Sequence, residues 1–166
     1  MTQLRRLDVA LALRLAIVVV LVVALAAVGL LGARVLDARS DDARRDAVVG
    51  QARQIAVNFT TLDYRTFDED VQLVLDGSTG SFRDQFAAGV DQTRDVVTSN
   101  EAVSGGTVSE AALVSADDDS ARVLLVVDTE VTNTATPTPT PRHYRVQLDL
   151  TRVSDTWLAS DLQFVG

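Results

Sequence analysis

The chain has 166 residues, 47% of them hydrophobic, and sets 15 basic residues against 23 acidic ones for a formal net charge of −8. Without cysteine it can hold neither a disulfide nor a thiolate metal site, and its one histidine, His143, leaves no His pair for a metal. The acidic balance and the lack of a clustered basic stripe exclude recognition of a phosphate backbone, so no nucleic acid, metal or cofactor is expected.

From Leu15 to Ala33 run 19 uncharged residues drawn from Leu, Ala, Ile, Val and Gly, bracketed by Arg14 and Arg34. At about 1.5 Å of rise per residue the run covers about 28 Å, close to the hydrocarbon thickness of a bilayer, which predicts a membrane helix over 15–33. Residues 1–14 are then a cytoplasmic N-terminus and 34–166 an exported domain. Arginines stand on both sides, Arg5, Arg6 and Arg14 before the span and Arg34, Arg39, Arg44 and Arg45 after it. The formal charge is +2 over residues 1–33 and −10 over 34–166, which favours a single-pass protein of the cytoplasmic membrane with its domain on the outer side. The alternative is a cleaved signal, since Ala24-Leu25-Ala26 fits a small-x-small site, but the apolar run continues past it and exceeds the about 7–15 residues of a signal core.

Ser40, Asp41 and Asp42 mark a helix start, a hydroxyl cap followed by acids at the positive end of the dipole. Val48, Ala52, Ile55, Phe59 and Leu62 follow at steps of 4, 3, 4 and 3, one stripe of a long juxtamembrane helix. Such a stripe packs on the domain's own sheet or faces a partner helix. On the second reading Val48, Ala52, Ile55 and Phe59 are the candidate partner contact. A short second helix carries Phe67, Val71, Val74 and Leu75 and stops at Asp76-Gly77, where glycine is expected to supply a left-handed cap. A third opens near Ser81 and places Phe82, Phe86, Val90, Thr93 and Val97 at helical spacing.

After Gly105-Gly106 the period becomes alternating. Strands are expected over about 107–116, 122–133, 142–153 and 157–165, the third being clearest because Tyr144, Val146, Leu148 and Leu150 alternate with polar neighbours. Thr136-Pro137-Thr138-Pro139-Thr140-Pro141 holds all three prolines and reads as a stiff exposed hairpin loop, unable to pair and suited to O-glycosylation. The class is α+β: three helices on one face of a four-stranded antiparallel sheet.

Little here carries chemistry. Asp117-Asp118-Asp119 is a solvated turn, because Ala121, Val123 and Leu125 fall where a calcium loop needs oxygen ligands. His143 has no Gly-x-Ser-x-Gly elbow to serve, and Gly77-Ser78-Thr79-Gly80 lacks the lysine and the preceding strand of a phosphate loop. Asn58-Phe59-Thr60 matches a sequon but lies within the first helix. The chain reads as a binding protein and not an enzyme.

The anchor, the helix running into Leu62-Asp63-Tyr64-Arg65-Thr66-Phe67-Asp68, the segment Gly80-Ser81-Phe82-Arg83-Asp84-Gln85-Phe86, the strand from Val126 to Asn133 and the terminal Trp157-Leu158-Ala159-Ser160-Asp161-Leu162 together resemble one family. These are the Mce-associated membrane proteins of actinobacteria, accessory to Mce lipid-import complexes. The resemblance implies a cystatin-like, nuclear-transport-factor-like cone outside the cytoplasmic membrane. It also implies a non-catalytic subunit that binds and stabilises the import complex, with envelope proteins as partners and membrane lipid met through the anchor. Inner-membrane scaffolds of type IV secretion and conjugation share that cone and give the alternative. Ketosteroid-isomerase-like enzymes use it around a buried acid and a tyrosine, a role for which Tyr64 is the candidate.

Overall fold

The computed structural model describes residues 42–166; the predicted anchor over 15–33 with Arg14 and Arg34 at its ends, and the Ser40-Asp41 cap, lie outside them. The first helix, α1, is described over residues 42–60 and buries Val48, Ala52, Ile55 and Ala56 along one face. Its last turn leads into β1 (Leu62–Asp63) and then α2 (Phe67–Asp76). Asp68, Glu69 and Asp70 occupy the first turn of α2, where the helix dipole favours negative charge. The Asp70 carboxylate also accepts hydrogen bonds from the Asp63 amide at 2.9 Å and the Thr66 hydroxyl at 3.2 Å, which ties the turn to the helix it precedes.

Gly77 ends α2 with φ −84°, so the expected left-handed cap does not form. Its small size serves packing instead: a Cβ there would stand 3.3 Å from Ile55 Cγ1. The Gly77 carbonyl accepts from the Ala159 amide and the Thr79 amide donates to the Ala159 carbonyl, both at 2.8 Å. The left-handed residue comes three positions later, Gly80 at φ +57°, which opens α3 (Gly80–Ser99).

β2 (Val103–Ala116), β3 (Ser120–Thr132), β4 (Thr140–Val153) and β5 (Thr156–Phe164) complete an antiparallel sheet in the order β1-β2-β3-β4-β5. Among the described residues there are five strands where four are expected, because Leu62–Asp63 pairs with Val103–Ser104 and two residues are too few to display alternation. β2 starts at Val103, so Gly105 and Gly106 lie within the strand instead of bordering it. β4 likewise starts inside the Thr/Pro tract, with Thr140 opposite Val131 and Pro141 opposite Glu130. The expectation that the whole tract stays unpaired is therefore corrected: proline is tolerated at the opening of a strand, where a ladder donor is least missed. β2 meets β3 with register shifts between Val108 and Glu110 and between Leu113 and Ser115.

The main core lies between α1 and the sheet. β3 alternates Ala121, Val123, Leu125 and Val127 inward, β4 contributes Val146, Leu148 and Leu150, and β5 contributes Trp157 and Ala159. A second, smaller cluster of Phe67, Val71 and Val97, flanked by Tyr64, Phe86 and Val90, joins α2 to α3.

Candidate functional site

Three of the four candidate contact residues are core. Val48 and Ala52 are 0% exposed and Ile55 is 3% exposed, all in the cluster with β3, β4 and β5. The same heptad-like spacing satisfies a sheet or a partner helix, and here the inward faces of β3 and β4 cover it. Phe59, the fourth, is half-buried at the end of α1 and faces different surroundings.

Those surroundings are a hollow of about 390 Å³ bounded by the last turn of α1, β1, α2 and α3. Its wall consists of Phe59, Leu62, Phe67, Val71, Val74, Phe86 and Val90, with Gly89 between the last two and Asn58, Gln85 and Thr93 as the polar members. None of these side chains is ionisable. Phe59 lies 6.1 Å from Phe82 and from Phe86, ring centre to ring centre, and Phe82 and Phe86 are 6.5 Å apart, so three rings brace one side. Beside it the Arg94 guanidinium stands 4.7 Å over the Phe67 ring and is paired with Asp68 at 2.6 Å. The site can hold something apolar and has no group in its wall for proton transfer. The sequence marks these residues as the apolar faces of two helices and does not show that the faces meet incompletely; a glycine in mid-helix, Gly89, is the signal that was there to read.

Tyr64 packs beside the small Phe67 cluster with the Arg65 guanidinium 5.6 Å from its ring centre. Between α1 and the sheet the space is filled by Val48, Ala52, Ile55 and Ala56. His143 sits on the outer face of the sheet with Nδ1 2.6 Å from Asp128 Oδ1. This hydrogen bond, and then one from Ser109, hold the Asp128 carboxyl below the usual range. Arg122 forks across to Asp149 at 2.6 and 2.8 Å and lowers that carboxyl too. The most displaced acid is Asp63, lowered to about 2 by hydrogen bonds from the Arg65 side chain and backbone amide. All three pairs are exposed ladder or turn contacts that order the surface. Among the described residues no group of three or more His, Cys, Asp or Glu is placed to hold a metal ion.

Several solved structures share this arrangement. An IcmL-like type IV secretion system protein from Legionella pneumophila superposes with a TM-score of 0.62 at 15% identity, covering 73% of this chain and 91% of that one. The periplasmic domain of DotI gives 0.57 at 18%, covering 72% and 94%, and CagV, a VirB8 homolog from Helicobacter pylori, gives 0.58 at 9%, covering 71% and 95%. At such identities the likeness is one of fold, the nuclear-transport-factor-like cone with three helices and a five-stranded sheet. In sequence, 122 residues are 35% identical to the uncharacterized protein Rv1363c of Mycobacterium tuberculosis, 74% of this chain but 47% of that protein, so the chain spans about half the length of this relative. The family profile described as "Uncharacterized protein Rv1363c/MT1408-like" matches residues 9–166, nearly the whole chain, and the protein belongs to that family.

Proposed function

We propose that the protein is a non-catalytic scaffold subunit of a multi-component envelope assembly, anchored in the cytoplasmic membrane by residues 15–33 with its domain on the outer side. The observation that carries this reading is the wall of the hollow, which offers no ionisable side chain to a reaction. The likeness to domains described as type IV secretion components supports an assembly of that general kind. A second reading, an accessory subunit of an Mce-type lipid importer, is favoured by the segments Leu62 to Asp68, Gly80 to Phe86 and Trp157 to Leu162.

Purification of the tagged full chain in mild detergent, with identification of what accompanies it, separates the two. Secretion-type membrane subunits support the first reading and Mce proteins the second, while turnover of a small substrate by the purified protein would overturn both. Protease added to spheroplasts is expected to digest the domain; digestion only after lysis would reverse the orientation.

A further inference from the structure

We propose that the hollow between α2 and α3 is a binding site for one hydrocarbon tail of a fatty acid or membrane lipid. Its volume of about 390 Å³ lies within the range of small-molecule sites. Seven of the wall's side chains are phenyl or aliphatic and none is ionisable, so a charged ligand part would find no counter-charge inside it and what enters is uncharged hydrocarbon. The wall's 11 residues are fewer than the about 20–30 a side of a stable protein interface, which argues for a single chain as occupant and against a docked domain.

Gly89 supplies the second observation. It stands in the interior of α3, where glycine weakens a helix relative to alanine, with a helical backbone that any residue could adopt. It lines the hollow, and a Cβ built on it meets nothing within 4 Å. No steric demand of the folded chain accounts for glycine there. Gly89 thus adds no bulk to the wall of the hollow, and the space where its side chain would stand is open. Asn58, Gln85 and Thr93 provide amide and hydroxyl groups that can hydrogen-bond a carboxyl or ester head without requiring charge. The inference is independent of the scaffold reading, since a subunit can hold a lipid tail whether or not it bridges other proteins.

The test uses membranes containing the full chain and a palmitic acid analogue bearing a diazirine and an alkyne, with cross-linked peptides mapped after irradiation. Label is expected on peptides carrying Phe59, Phe86 or Val90. It should be lost with excess unlabelled palmitate and reduced in Gly89→Leu, which adds a bulky side chain at the wall of the hollow. Label confined to residues 15–33, or label at the hollow that survives competition in the wild-type chain, overturns the proposal. Competition needs no variant, so the test stands even if Gly89→Leu folds poorly. A second arm with a phosphatidylcholine carrying the same photoreactive tail distinguishes the source: labelling by both probes points to bilayer lipid, and by the fatty acid only to a free acid.

Discussion

Gly106 and Thr60 approach so closely that a Cβ on the glycine would overlap the threonine hydroxyl and stand 2.7 Å from its Cβ. The end of α1 is pressed onto β2 at this point, and the Ser104 hydroxyl donates to the Thr60 carbonyl at 2.7 Å beside it. Gly106→Ala must push the helix off the strand or bend the strand away. We expect a loss of about 1–3 kcal/mol, the usual cost of overpacking, measured by urea unfolding of a fragment starting at Asp42. An unchanged midpoint would mean that α1 does not seat there.

Trp157 is 7% exposed in the main core, together with Ala159 and the inward residues of β3 and β4. Trp157→Ala is expected to lower the stability of that fragment by about 3–5 kcal/mol, read from the denaturant midpoint at unchanged slope. A shift of a few tenths would place the ring outside the core.

Val48→Asp sets a charge where the side chain has no access to water and no partner, and is expected to unfold the fragment in far-ultraviolet circular dichroism and urea titration. Phe59→Ala, at a half-buried position on the hollow, is expected to leave a cooperative transition. If both variants fold and only Val48→Asp loses partners, the stripe is a contact surface after all.

Acid should act through the paired carboxylates. Asp63, lowered to about 2, and Asp128 and Asp149, also lowered, bind protons more readily in the unfolded chain. Their stabilisation is thus complete above the unfolded value of about 4 and is lost as pH falls through the lower folded values. Unfolding midpoints between about pH 4 and 2 should fall less steeply in Asp63→Asn than in the wild-type chain. Equal slopes would show that the Arg65 pairing is absent in solution.

Gly89→Ala adds a methyl into open space and removes a helix-interior glycine, so it should stabilise the fragment by about 0.5–1 kcal/mol. A loss of stability would show that the backbone there needs glycine, and with it the reason given for the hollow would fail.

The strands and helices were legible because their periods are clean. Val146, Leu148 and Leu150 alternate in sequence and all three are buried, and Val71 and Val74 lie one helical turn apart on a buried face. β1 escaped because two residues carry no period, and the role of Gly77 was misread because a glycine after a helix serves as well for close packing as for a left-handed turn. The direction of the α1 stripe could not be read, since a sheet and a partner helix ask for the same spacing. The hollow is a property of how α2 and α3 meet in three dimensions, which neither helix encodes separately.

The two register shifts in β2 also bear on whether copies of this protein can join edge to edge. Past Ser104 the strand's outer side has no neighbouring strand among the described residues, and the Arg53 guanidinium covers one of its carbonyls, that of Val108, at 3.1 Å. Each shift twists the strand locally, so the remaining edge is broken into short stretches that offer an incoming strand little continuous ladder. Copies that meet at high concentration therefore find a blunted border, which resists growth of the sheet from one molecule into the next and leaves association to side-chain surfaces.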